Sequence, residues 1–136
     1  MPDRGYLEFA HTADWGMHVW AGDLVSLLVT AAEGMFVLLE VVTDQKDRRS
    51  ISFELVFGGS PESLLVDFLN ELLYLSEREQ IGFGKFDIRL AGEVLTVQAG
   101  GGKLVSQSKE IKAVTFHKLA VERTEGGLEA KLIFDV

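Results

Sequence analysis

Two stretches of helical apolar spacing interrupt a chain that otherwise alternates with a period of two. Leu24, Leu27, Leu28, Ala31, Met35, Leu38, Leu39 and Val42 follow Gly22-Asp23 at the spacing of one helix face. Leu64, Leu65, Phe68, Leu69, Leu72 and Leu73 form a second stripe after Ser60-Pro61-Glu62. Ser60 suits the N-cap, because its hydroxyl can accept an orphan backbone N–H, and Pro61 suits the first helical position, where its missing N–H is not needed. The second helix is expected to fray near Arg78 to Gln80. Gly34 weakens the first helix by about 1 kcal/mol relative to Ala and suggests close packing there.

Around these helices, Tyr6 to Ala10, Trp15 to Ala21, Ser50 to Phe57, Phe86 to Leu90, Val94 to Ala99, Ile111 to Thr124 and Leu128 to Val136 read as strands. Glu125-Gly126-Gly127 reads as a hairpin turn. The pattern predicts a single α+β domain over 1–136, with two helices packed on a mostly antiparallel sheet. Ala99-Gly100-Gly101-Gly102-Lys103 is expected to open an irregular loop running to Lys109 or Glu110. It is not a phosphate-binding P-loop, since Val97 and Leu104 stand where that motif needs Gly and Ser or Thr.

Composition narrows the function classes. The 136 residues contain no cysteine, which excludes disulfides, thiolate metal sites and a cysteine nucleophile. Three histidines make a structural zinc site a poor reading. No apolar run is long enough for a membrane helix, and the start lacks the pattern of a signal peptide, so a cytoplasmic protein is expected. A net charge of −8 argues against a broad basic surface for nucleic acid. Any link to RNA is therefore expected to be indirect, through a basic protein partner.

The chemistry-bearing residues are polar groups set in apolar surroundings, where they cost free energy unless paired, ion-bound or facing a partner. Asp14 follows His11-Thr12-Ala13 at a strand entry; taken alone it reads first as a turn residue bonding nearby backbone amides. Asp135 lies among Leu132, Ile133, Phe134 and Val136, and by alternation shares a face with Ile133. Were the two carboxylates to meet, one would titrate high or a cation would sit between them. Oxygen ligands of this kind suit Ca²⁺, Mg²⁺ or Mn²⁺. Lys112 lies in the strand-like run Ile111-Lys112-Ala113-Val114-Thr115-Phe116-His117, either reaching water over a buried stem or balancing nearby charge. Asp67, Asn70, Glu71 and Tyr74 share one face of the second helix, read as a solvated face or a docking surface. There is no Gly-x-Ser-x-Gly elbow and no His-Glu-x-x-His pair.

Those segments, together with Leu64 to Tyr74, resemble the archease family in order and spacing along nearly the whole chain. The resemblance implies a strand-helix-strand-strand unit with a second, helix-containing insertion. It implies that Asp14 and Asp135 are the functional acidic pair, holding a divalent cation, and that Lys112, His11 and Thr12 contact the partner or its GTP site. The implied partner is the tRNA-splicing RNA ligase, which joins RNA ends using GTP and a divalent metal. The family member would speed formation of the ligase-guanylate intermediate and allow repeated turnover. A related implication is a chaperone or specificity factor for a tRNA methyltransferase. Two departures from the family pattern stand out: Lys103 to Lys109 lacks the usual His and Pro residues, and Trp15 replaces a small aliphatic one. The residues alone also leave open a small metal-dependent hydrolase using the same carboxylates.

Overall fold

The computed structural model describes residues 3–10, 14–116 and 118–136. Helix α1 spans Leu24–Leu38 and α2 spans Pro61–Glu79. Both start where their caps predict. The Asp23 carboxylate accepts the Ser26 N–H at 2.8 Å, and the Ser60 hydroxyl accepts the Ser63 N–H at 3.1 Å. α2 is capped by a left-handed residue, Gln80, and α1 is followed by one, Glu40, just past its right-handed cap Leu39; both have φ of 56°. The usual glycine signal for such a stop is absent. The sequence periodicity therefore overruns α1, and Val42 lies not on the helix but on a short strand, exposed.

The strands are β1 (Gly5–Ala10), β2 (Trp15–Ala21), β3 (Val41–Thr43), β4 (Arg49–Val56), β5 (Ile81–Ala91), β6 (Val94–Gln107), β7 (Ala113–Thr115), β8 (Val121–Thr124) and β9 (Gly127–Asp135). They form two antiparallel sheets rather than one. The first runs β1-β2-β9-β7, with β8 also on β9; the second runs β3-β6-β4, with β5 on the other side of β6.

Both helices lie between the sheets, and this explains their composition. Helix α1 meets the first sheet at Gly34, where an added Cβ would sit 2.7 Å from the Tyr6 ring and 3.0 Å from the Met17 sulfur. It meets the second sheet through Phe36, edge-on to Phe83 at 5.6 Å. A helix enclosed on both sides must be apolar nearly all round, as Leu27, Leu28, Ala31, Ala32, Met35, Phe36 and Leu38 are. Helix α2 packs Phe68 against Phe53 of the second sheet at 6.5 Å and keeps an exposed side. All these residues belong to one continuous core.

Two expectations are corrected. The glycine-rich stretch is not a loop but the middle of the 14-residue β6. Its glycines allow close approach: a Cβ on Gly101 would lie 2.0 Å from the Gly82 carbonyl oxygen. And Ile111 to Thr124 is not one strand. It breaks after Thr115, passes Lys118 with φ of 56°, and resumes at Val121. Among the described residues no helix is long and apolar enough to cross a membrane.

Candidate functional site

Strand β9 is the axis of the site. Ala130, Leu132 and Phe134 are buried, so Lys131 and Asp135 face the opposite side, away from the core. On β2, Met17 and Val19 are buried in step. The last pair of the β2–β9 ladder is Trp15 with Phe134. Asp14 precedes Trp15 and Asp135 follows Phe134. Continuing the register by one residue sets the two carboxylates opposite each other on the outer face, both exposed. Residues so opposed have Cβ atoms roughly 5 Å apart.

On the other flank of Asp135 lies β7. Ala113 pairs with Asp135, and the Lys112 backbone N–H donates to the Asp135 carbonyl at 2.8 Å. Lys112 is exposed. The sheet thus brings Asp14, Asp135 and Lys112 to one end. His11 and Thr12, expected beside them, lie outside the described residues, as does His117. His18 lies further down β2, where its Nε2 is 3.3 Å from the Glu129 carboxylate and its ring is tilted on Trp20.

Trp15 forms the floor behind the acidic pair. Its ring stands edge-on to Phe134 at 5.2 Å, and its Nε1–H donates to Glu8 Oε2 at 2.7 Å. Lys109 Nζ lies 5.7 Å from the Trp15 ring centroid, which adds a second cation near the site. Lys109 was hidden from sequence reasoning because it follows a long strand that reads as a loop.

Helix α2 fixes the flank. Asn70 uses its carboxamide as a neighbouring strand would use a peptide group: Oδ1 accepts the Val114 N–H at 2.8 Å, and Nδ2 donates to the Val114 carbonyl at 3.2 Å. Of the four polar residues on that helix face, Asn70 is thus a structural clamp. Asp67 is exposed, and Tyr74 is exposed with the Arg78 guanidinium 5.3 Å above its ring. About two turns before Asn70, Glu62 Oε2 accepts the Val121 N–H at 2.6 Å. That hydrogen bond holds the Glu62 carboxyl below its ordinary value of 4.5. The two contacts tether both ends of the break between β7 and β8. Between α2 and the segment leading into β7 runs a groove of about 720 Å³, with Asn70, Tyr74, Glu77, Lys109, Glu110 and Lys112 among its walls.

The donor set can be tested against a cation. Asp14 and Asp135 offer at most four oxygens, while Ca²⁺ takes six to eight and Mg²⁺ six. Among the described residues no group of three or more His, Asp or Glu could hold a metal ion. The pair fits a hard cation as a partial shell, completed by water or by groups of another molecule.

Fold and site together define a small α+β protein with two helices between antiparallel sheets and an exposed carboxylate on each of two neighbouring chain segments at one sheet end. Residues 6–136 match the model of the Archease protein family (MTH1598/TM1083). The chain is 34% identical to a protein archease of Methanosarcina mazei, with all of both chains covered. It is 31% identical to one of Pyrococcus furiosus, over 98% of this chain and 99% of that one. The solution structure of a Methanobacterium thermoautotrophicum protein superposes with TM-score 0.69 at 27% identity, covering 97% of this chain and 99% of the other. An archease from Thermotoga maritima, described as a possible chaperone, shares the fold with TM-score 0.70 at 24% identity over 94% of each chain. The chain belongs to the archease family.

Proposed function

We propose that this chain is a cytoplasmic, non-catalytic accessory protein of the tRNA-splicing RNA ligase, promoting guanylylation of the ligase by GTP and its repeated turnover. Family membership supports this reading, and one observation carries it: the β2–β9 ladder ends at Trp15–Phe134, so Asp14 and Asp135 are the next residues at that sheet end, with Lys112 alongside. Two exposed carboxylates repel unless a cation or cationic surface comes between them. Asp14 and Asp135 would hold a divalent cation (Ca²⁺, Mg²⁺ or Mn²⁺) jointly with groups of the partner. The ion would supply charge neutralisation at the ligase's nucleotide site. Lys112 offers a point charge for a phosphate. The clamped strands keep these groups in register, so entry into a partner's site costs little ordering entropy.

The test is RNA joining by the ligase, scarce relative to RNA, with GTP and Mn²⁺, and with this protein added or omitted. The expected result is a rise from about one turnover per ligase to many, abolished by Asp14→Ala or Asp135→Ala while both variants melt as the parent does. Normal stimulation by both variants refutes the mechanism. The chaperone description of the Thermotoga maritima relative favours a second reading, a chaperone or specificity factor for a tRNA methyltransferase. Ligase binding without stimulation, together with improved methyltransferase solubility or site choice, would put that reading first. Metal-dependent hydrolysis by the chain alone, lost in Asp14→Ala, would instead make it an enzyme.

A further inference from the structure

The chain carries −8 overall, yet three of its 13 Lys and Arg residues line one cleft, and two more, Lys46 and Lys103, lie on the segments that border it. The cleft, about 360 Å³, lies where the 44–48 turn meets β5 and the glycine-rich middle of β6. Arg48, Arg49 and Lys85 line it, together with Asp44 and Asp47. Lys46 and Lys103 are tied to the same turn through their backbone N–H groups, which donate to Asp44 Oδ1 at 2.9 Å and Asp47 Oδ2 at 2.8 Å.

The two carboxylates of the turn are already engaged. Asp47 Oδ2 takes the Arg49 Nε–H at 2.8 Å as well as the Lys103 N–H, and Asp44 holds the turn backbone. Among the described residues Lys46, Arg48, Lys85 and Lys103 have no ion-pair partner, and all four are exposed. The floor carries little side chain. Gly84 sits at the bulge in β5, and a Cβ there would meet nothing within 4 Å; one on Gly100 would meet only ordinary contacts. Packing does not require glycine at either position, and both leave the backbone open to an approaching ligand.

From this we infer that the cleft binds the phosphodiester backbone of a nucleic acid, a function separate from the acidic sheet end and independent of the ligase reading. The charges are spread along an open, shallow surface instead of converging on one buried point. That arrangement suits a polyanion with regularly repeated charges, not a single phosphate. Guanidinium and ammonium groups above bare backbone match phosphate contacts that position a strand without reading its sequence. The acidity of the remaining surface repels a polyanion elsewhere, so it directs a strand to this end. Strand β6 carries the chain roughly 20 Å from Gly101 to Gln107, and Lys109, near Trp15, lies beyond its end.

The test is fluorescence anisotropy of a labelled 20-nucleotide single-stranded RNA, the same sequence as DNA, and polyglutamate of matched charge as competitor. With four phosphate contacts the log–log salt slope should be near −2.8, or roughly a 50-fold loss between 50 and 200 mM salt. Charge reversal in Arg48→Glu/Lys85→Glu should cut affinity at least tenfold and roughly halve the slope. Arg123→Glu, on β8, should change little. Arg48→Ala/Lys85→Ala serves if reversal disturbs the fold, which thermal melts would show. DNA bound as well as RNA supports the assignment to phosphodiester. No binding by the parent at 50 mM salt, unchanged binding by both double variants, or equal displacement by polyglutamate would overturn it, the last in favour of an acidic protein ligand.

Discussion

Cutting the carboxamide of Asn70 should loosen the strand that carries Lys112 before it disturbs anything else. Asn70→Ala removes both bonds to Val114 and leaves its N–H and carbonyl without a protein partner on that side. Each neutral hydrogen bond contributes about 1 kcal/mol net, and an orphaned buried group costs roughly 1–3 kcal/mol. The groove beside Asn70 admits water to part of this site, so the low end applies, and about 2 kcal/mol is expected. For a chain of this size that corresponds to a fall in Tm of roughly 8 °C. The sharper assay is hydrogen exchange at the Val114 amide, which should speed up by about 30-fold if opening becomes 2 kcal/mol easier. Asn70→Asp separates the two bonds. It keeps the acceptor for the Val114 N–H but turns a carboxylate oxygen toward the Val114 carbonyl, so it should be at least as destabilising as Ala near pH 7. A Tm within 2 °C of the parent in both variants, with unchanged Val114 exchange, would refute the clamp.

Other outcomes follow from the same structure. The Glu62 carboxyl is held below 4.5 by the Val121 N–H, so its stabilisation is complete above that value and is lost as pH falls through the lower folded-state value. Glu62→Gln should therefore lower stability at pH 7 by about 1 kcal/mol and reduce the acid dependence below pH 4.5, checked by urea melts at pH 3 to 7. Gly101→Ala, with its Cβ 2.0 Å from the Gly82 carbonyl oxygen, should cost more than about 3 kcal/mol or prevent folding. Gly84→Ala, in open space, should fall within about 1 kcal/mol of the parent. Equal melting temperatures for these two glycine variants would show that β6 does not cross β5 as described.

Much of the fold is legible in the sequence because its signals are local. The Ser60-Pro61 start, the Asp23 cap, the alternation of Trp15, Met17 and Val19, and the Glu125-Gly126 turn each act within a few residues. Elements governed by distant partners are not legible. Val41 to Thr43 is a strand because β6 is there to pair with it, and its helical spacing conceals the stop at Glu40. Gly100 to Gly102 looks like a loop because its reason, close approach to Gly82, lies twenty residues away. The break after Thr115 contains no Gly or Pro and rests on Lys118 in a left-handed conformation. At the site, Asp14, Asp135 and Lys112 stand out as polar groups in apolar runs. Asn70 does not, since one Asn on a polar helix face looks like a solvated residue until β7 is laid against it.

Enclosing α1 between two sheets has a consequence for how the molecule comes apart. Each sheet presents its apolar side to the same helix, so peeling either sheet away would wet the face of α1 that the other still needs for support. The sheets share a keel rather than a seam. Partial unfolding of one sheet alone is costly, and heat or urea should take both in a single concerted transition, reported equally by Trp15 and Trp20 in the first sheet and by backbone circular dichroism of the whole.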